Sequence, residues 1–304
     1  MSRATRLAPP AVLPEDLDGL HRVLLGWYSA SARDLPWRRP GVGPWGVLVS
    51  EVMLQQTPVA RVEPVWRSWM ERWPTPADLA AEPPGEAVRA WGRLGYPRRA
   101  LRLHAAAGAV VERHGGRVPA DPDELAALPG VGGYTAAAVA AFAHGARVPV
   151  VDSNVRRVLA RLVQGRELPP PHLTRAEVDL ARALLPRRRA ATWSVAVMEL
   201  GALVCTARSP RCEACPVLDR CRWQSLGRPA YDGPPRRGQA WTGTDRQCRG
   251  TLLRVVREGP ASGVPVSRLE AAWPDATQAS RCLGSLLEDG LVEQAGDDLV
   301  RLPA

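Results

Sequence analysis

Four cysteines fall within 17 residues, in the spacing Cys205-x6-Cys212-x2-Cys215-x5-Cys221. A loop this short can bring four thiolates to one small site, and the chain around it must fold so as to keep them there. An iron–sulfur cubane takes such a set from one compact loop. Zinc also accepts four thiolates, but it more often draws them from two Cys-x2-Cys knuckles in separate segments, and only one such pair is present. The spacing therefore favours an iron–sulfur cluster acting as a structural staple, with Arg208, Arg211, Arg220 and Arg222 beside it as candidate phosphate contacts. Cys248 and Cys282 lie far from the loop and read as buried thiols, so metal ligation is expected rather than disulfides.

The formal net charge is +9, which points to a polyanionic partner. All 40 basic residues are Arg and none is Lys. Cationic contacts must then be made by guanidinium forks, which suit phosphate oxygens. No side-chain amine is available to form a Schiff base, which leaves only the N-terminal α-amino group. No apolar run reaches the length of a membrane span and the first residues lack a secretory apolar core, so a soluble cytoplasmic protein is expected.

Helical periodicity runs through residues 13–31, 98–113, 134–143, 153–164, 174–185 and 192–204, with short helical segments between Pro74, Pro76, Pro83 and Pro84. Alternating strand patterns are almost absent before residue 290, so the fold class expected is all-α, built from many short helices. Residues 226–247 are rich in Gly, Pro and Arg and read as a linker. The remainder, 248–304, has helical patterns at 248–258, 266–273 and 276–289, followed by LVEQ and LVRL around a turn. That order suggests a small winged-helix-like domain, the alternative being a helical cap.

Two further motifs carry chemistry. Leu128-Pro129-Gly130-Val131-Gly132-Gly133-Tyr134-Thr135 lies between helical segments and reads as a helix-hairpin-helix, which offers backbone N–H groups and a helix N-terminus to a DNA phosphate. A plain helix–helix turn is the alternative. Glu51 sits in the apolar run VLVSEVML, where partial desolvation favours a protonated carboxyl. Asp152 in VVDSN precedes a helix, where the dipole and free N–H groups favour the anion. One carboxylic acid with one carboxylate suits cleavage of a glycosidic bond through an oxocarbenium-like transition state. Taken singly, each residue also reads as an ordinary structural one.

Taken together, SEVMLQQT, LGY, LPGVGGYT, VDSNV and the cysteine loop keep an order and spacing that resemble the A/G-mismatch adenine DNA glycosylases, the MutY branch of the helix-hairpin-helix superfamily, from about Leu35 to Cys221. The resemblance implies a six-helix domain and a [4Fe–4S] cluster domain with a DNA cleft between them. The expected organisation is residues 1–32 as a helix contributing to the cluster domain, 33–149 as the six-helix domain, 150–225 as the cluster domain, 226–247 as linker and 248–304 as the winged-helix-like domain. It implies Glu51 as general acid to the adenine ring nitrogen and Asp152 as stabiliser of the cationic sugar, electrostatically or by transient covalent attachment. Tyr134 and Asn154 would order these groups and the water. Arg38 would line the adenine pocket; Gln55, Gln56 and Thr57 would enter the DNA helix near the opposing base, and Tyr96 would wedge beside it. Gly130 and Gly132 would grip phosphate, and Cys205, Cys212, Cys215 and Cys221 would hold the cluster. The partner implied is double-stranded DNA carrying adenine opposite 8-oxoguanine or guanine, bound by a monomer.

The endonuclease III type, by contrast, carries a catalytic lysine just after the hairpin, where this chain has Tyr134. The chain also departs from the MutY pattern. Pro97 replaces the usual second tyrosine, Ser153 stands where glycine is commoner, and no Phe-Ser-His hairpin or large β-rich terminal domain follows. Two rival readings stay open: a glycosylase of other base specificity on this scaffold, and a non-catalytic DNA-binding iron–sulfur protein, which would have no need of the Glu51/Asp152 pair.

Overall fold

The computed structural model describes residues 13–234 and 241–304. The N-terminal α-amino group and residues 235–240 of the expected linker lie outside the described residues. Among those described, the chain is helical up to Ser225, and strand occurs only in three short segments from Val264 onward. None of the helices among the described residues is long and apolar enough to cross a membrane.

Proline explains why the helices are many and short. Pro44, Pro76, Pro84 and Pro122 each open a helix (Pro44–Leu54, Pro76–Ala80, Pro84–Trp91 and Pro122–Ala126). There the missing N–H would have been unpaired anyway and the fixed φ suits the first turn.

The chain divides into two compact units, one formed by the described residues of Met1–Asp34 and Ala137–Pro235, the other by those of Leu35–Ala136 and Arg236–Ala304. In the first unit, helix Leu17–Ser31 is opened by Asp16, which accepts the Gly19 N–H at 2.7 Å. Its Leu20 and Leu24 are buried with Val155, Val158 and Leu162 and with Trp193, Val197 and Leu200 of helix Ala190–Leu203. Cys205, Cys215 and Cys221 pack on that same core. The segment expected as one helix over 153–164 is α-helical over Ser153–Leu159 and π-helical over Ala160–Gln164. Such π turns re-aim side chains, and this one carries the buried Arg161.

In the second unit, Trp69 meets Trp73 and Trp91 edge-on, with ring centroids 4.9 and 5.6 Å apart, between helices Val59–Arg72, Pro84–Trp91 and Arg98–His114. Its C-terminal part has helices Asp245–Glu258, Val266–Glu270 and Ala276–Glu288, which bury Leu252, Val256, Leu269 and Leu286. The first of these starts three residues before the expected 248, because Thr244 caps it through the Gln247 N–H. A three-stranded antiparallel sheet accompanies them, in the order Val264–Pro265, Leu299–Arg301, Glu293–Gln294. The helix–strand–helix–helix–strand–strand order is that of a winged helix rather than a helical cap. The first strand had no sequence signature, being two residues long with a proline on the sheet edge, where proline is tolerated.

Candidate active site and cysteine loop

Helix Pro44–Leu54 is buried along most of its length, and Glu51 within it is 7% exposed. Tyr134, near the start of helix Gly133–His144, donates its Oη to Glu51 Oε2 at 3.1 Å. The carboxyl is thus shielded from water and oriented by a phenol. Thr135, next in sequence, accepts from Gln55 Nε2 at 3.1 Å, which ties the Gln55–Thr57 segment to the same helix.

The hairpin between helices Pro122–Ala126 and Gly133–His144 uses its glycines in two different ways. Gly130 has φ +74°, and a Cβ there would stand 2.6 Å from Arg102 Cβ, so both conformation and space require glycine. Gly132 and Gly133 have ordinary φ and open space at the Cβ position. Both are exposed. What glycine provides at these positions is an uncovered backbone at the positive end of a 12-residue helix with no acidic residue in its first turn. That arrangement can accept an anion.

Gln56 and Tyr96 are both non-glycine residues in the left-handed region, with φ +55° and +48°, and both side chains are exposed, Tyr96 at 47%. Such strain persists only where neighbours over-determine it. Here the neighbour is Arg99, which the sequence reading missed. Its buried guanidinium donates to the carbonyls of Val52 (2.9 Å) and Met53 (3.3 Å), to Thr57 Oγ1 (3.1 Å) and to Gly95 O (3.1 Å). Burial lowers its pKa to about 10, so it stays charged at neutral pH. The guanidinium lies 5.3 Å from the Tyr96 ring centre and 5.4 Å from that of Trp91. Thr57 itself is buried and bridges to Leu94 O at 3.3 Å. Arg38 is half-buried on the 3-10 turn Pro36–Arg38, behind Trp37, which packs edge-on against Trp66.

In the other unit, Asp152 caps helix Ser153–Leu159. Its Oδ1 accepts the Val155 N–H at 2.7 Å and its Oδ2 accepts Asn154 Nδ2 at 2.8 Å. Asn154 Oδ1 in turn accepts Arg157 Nη2 at 2.7 Å, and Arg157 Nε donates to the Cys205 carbonyl at 2.7 Å. A hydrogen-bonded chain therefore runs from the carboxylate to the first cysteine. The N–H donors favour the anion, as expected from the cap position. Burial opposes them and wins, so the Asp152 carboxyl is held above its ordinary value of 3.8.

The cysteine loop is set by 3-10 turns at Cys212–Ala214 and Leu218–Arg220. Burial, together with the proximity of Cys205, Cys221 and Cys212, pushes the Cys215 thiol up to about 11. Arg161 Nη1 lies 3.4 Å from Cys205 Sγ and also donates to Thr206 O at 2.7 Å. An all-sulfur donor set with a guanidinium at one sulfur fits an anionic iron–sulfur cluster. Among the described residues, no group of three or more His, Cys, Asp and Glu side chains is arranged to hold a single metal ion. The thiolates of a cubane each take a separate iron and need not converge on one point. Of the arginines expected to meet phosphate, Arg220 pairs with Asp16 at 3.0 Å, Arg211 donates to Leu203 O at 3.1 Å and Arg222 to Val163 O at 3.5 Å. Arg208 is exposed and has no hydrogen-bond partner among the described residues. Cys248 and Cys282 are buried, as expected, and burial, with a hydrogen bond to Cys282, pushes the Cys248 thiol up to about 12.

Residues 49–182 match the model of the helix-hairpin-helix (HhH-GPD) superfamily of base excision DNA repair proteins, and residues 205–221 match the iron–sulfur binding domain of endonuclease III. The chain is 54% identical over 304 residues to an adenine DNA glycosylase of Mycobacterium tuberculosis, covering 97% of this chain and 98% of that protein. It is 56% identical over 278 residues to an adenine DNA glycosylase of Mycolicibacterium smegmatis, covering 90% and 92%. Among solved structures, a thermostable thymine-DNA glycosylase is similar over 70% of this chain and 98% of its own, with a TM-score of 0.63 and 27% identity.

Proposed function

The chain belongs to the adenine DNA glycosylases of the helix-hairpin-helix base-excision repair superfamily, and from that premise we propose that it hydrolyses the N-glycosidic bond of adenine mispaired with 8-oxoguanine or guanine in double-stranded DNA. We read it as a monofunctional, monomeric enzyme of the cytoplasm. Its [4Fe–4S] cluster is carried by Cys205, Cys212, Cys215 and Cys221. When bound, the cluster supplies a covalent staple for the loop.

Glu51, dry and oriented by Tyr134, is the general acid that protonates the adenine ring and makes it a better leaving group. Asp152, whose carboxylate accepts from the Val155 N–H and from Asn154 Nδ2, stabilises the cationic sugar. Gly130 and Gly132 grip phosphate through the hairpin backbone, Arg38 lines the base pocket, and Gln55, Gln56, Thr57 and Tyr96 enter the DNA stack around the extruded base.

The observation that carries the reading is the hydrogen bond from Tyr134 to Glu51. It sets a phenol, and no amine, beside the acid at the point in the hairpin where the endonuclease III type places its lysine. With no lysine in the chain, base loss should leave an intact strand bearing an abasic site. The test is single-turnover reaction on duplexes carrying one adenine opposite 8-oxoguanine, guanine or cytosine, with and without hot alkali, and separately with borohydride. Adenine release opposite 8-oxoguanine and guanine, with strand breaks only after alkali, is expected. A borohydride-trapped adduct formed as fast as base release, together with a cut strand, refutes the monofunctional reading. Equal rates opposite cytosine refute the mispair specificity.

A further inference from the structure

The loop Gly92–Pro97, between helices Pro84–Trp91 and Arg98–His114, turns through three left-handed residues: Gly92 (φ +56°), Gly95 (φ +84°) and Tyr96 (φ +48°). Glycine takes such φ freely, but Tyr96 does not, so its conformation must be held by neighbours. Arg99 holds it on one side, through Gly95 O. On the other side, the C-terminal part of the same unit meets both flanking helices.

Three contacts make this attachment. At the start of helix Pro84–Trp91, Gly85 donates its N–H to Pro303 O at 2.9 Å, and a Cβ on Gly85 would stand 2.3 Å from that oxygen and 2.9 Å from Leu302 Cβ. The fit is close enough that only glycine allows it. At the end of the same helix, Arg257 donates Nη1 to Gly92 O, while Arg89 donates Nη1 back to Arg257 O. Arg257 makes no ion pair among the described residues, so its fork is committed to this carbonyl. At the start of the next helix, Arg98 pairs with Asp289 at 3.0 Å, and Asp289 is itself held by Arg249. The Arg98–Asp289 pair is exposed and adds little alone. The Gly85 and Arg257 contacts are backbone attachments, and they lie at opposite ends of the helix that leads into the loop.

We infer that the winged-helix part is a brace that holds the Tyr96 loop in its inserting conformation, with Arg257 as the positioning residue at Gly92. The inference rests on the reading of Tyr96 as the residue that wedges into the DNA. It assigns a use to residues 248–304: they set the wedge. Tyr96 is exposed, so without the brace its strained turn can relax, and each insertion must then re-order it.

The experiment compares Arg257→Met and Arg257→Lys with the unmodified enzyme. Single-turnover excision is measured on adenine paired opposite guanine and on adenine opposite an abasic site, where less stacking resists extrusion. A duplex with 2-aminopurine at the target position reports flipping by fluorescence. Losing a charged donor to a half-buried carbonyl should slow excision from the paired duplex about tenfold and reduce the 2-aminopurine signal. On the abasic-opposed substrate the loss should stay within about twofold, Arg257→Lys should recover most of the paired-duplex rate, and the iron content should not change. Equal loss on both substrates, whether or not the thermal midpoint falls, overturns the brace, and so does no loss on either. Asp289→Asn, at a pair that adds little alone, should stay within about twofold on both substrates; a loss there as large as that of Arg257→Met would overturn Arg257 as the positioning residue. Tyr96→Ala separates the two readings. If it flips and excises normally, the wedge assignment is wrong. If it is defective while Arg257→Met is not, only the brace is wrong.

Discussion

Replacing Asn154 with leucine keeps the side-chain volume and removes the amide donor to Asp152 Oδ2, now at 2.8 Å, together with the acceptor for Arg157. The Val155 N–H stays on Oδ1, so the carboxylate keeps its backbone support and loses only the side-chain donor. A hydrogen bond to a charged group contributes about 1.5–3 kcal/mol, so its loss should push the Asp152 carboxyl further up. The rise adds to the upward push that burial already gives. In the role proposed for it Asp152 acts as an anion, so activity should be present above its pKa and lost as pH falls through it. The acid limb of the single-turnover rate should therefore move to higher pH in Asn154→Leu, lowering rates on that limb by about 10- to 100-fold, while rates well above both limbs stay closer together. Arg157→Met breaks the chain one link further out and should shift the limb in the same direction by less, because the guanidinium reaches the carboxylate mainly through Asn154. Iron content must be followed in that variant, since Arg157 also holds the Cys205 carbonyl. The assay is adenine release from a guanine-mispaired duplex across the acid range. An acid limb in Asn154→Leu that coincides with the unmodified enzyme's refutes the reasoning, since Asn154 then does nothing for the anion.

Glu51→Gln keeps the shape and the Tyr134 contact but cannot donate a carboxylic proton; excision should fall by about 10²–10⁴-fold with DNA affinity near normal, and an unchanged rate removes Glu51 as the acid. Asp152→Asn should abolish most excision yet raise the thermal midpoint at neutral pH. Because the folded pKa is raised, the ionised carboxyl costs stability above that value, so the gain should vanish as pH falls below the ordinary 3.8; a midpoint that drops at neutral pH contradicts this. Freshly prepared protein should be straw-brown, absorb near about 400 nm and hold roughly four irons per chain, whereas stoichiometric zinc without iron in anaerobic preparations refutes the cluster assignment.

How much of this was legible in the sequence depends on where the determining contacts lie. Helix starts were readable because prolines and capping residues mark them, as at Pro84 or Thr174, whose side chain and that of Glu177 form a capping box. The cysteine loop was readable because four like residues in one short span have few other uses. The change to π-helix at Ala160 was not readable, because apolar periodicity continues straight through it. The strand Val264–Pro265 exists only because Leu299–Arg301 pairs with it, and that is a contact between distant residues. Glu51 and Tyr134, which lie in hydrogen-bond contact, were singled out through their motifs, whereas Arg99, Arg157 and Arg161 were not. Their partners are almost all backbone carbonyls, which leave no mark in the sequence. One signal was available: Arg98 and Arg99 stand in the first turn of a helix, where a cation opposes the dipole, and such a breach of a local rule points to a tertiary reason.

That tertiary reason also bears on the absence of lysine. An ammonium has three donors on a flexible stem, while a guanidinium has five in a fixed plane. Arg99 uses its fork to hold carbonyls on both sides of a gap: Val52 and Met53 at the end of the Glu51 helix, and Gly95 beside Tyr96. Arg161 does the same in the cysteine loop, reaching Glu167 O, Thr206 O, Ala207 O and Cys205 Sγ from one buried side chain. A lysine at either place could satisfy only part of its set and would leave buried carbonyls unpaired, at about 1–3 kcal/mol each. Arginine is thus the residue that these buried junctions require, whatever first drove lysine out of the chain. The same replacement leaves no side-chain amine to attack an abasic sugar. Rigid attachment of the Gln55–Thr57 and Tyr96 segments and restriction to base release therefore draw on one property of the composition, and an engineered lysine at position 134, at the positive end of helix Gly133–His144 where an ammonium is disfavoured, should confer strand cleavage with a borohydride-trapped adduct, whose absence would refute the link.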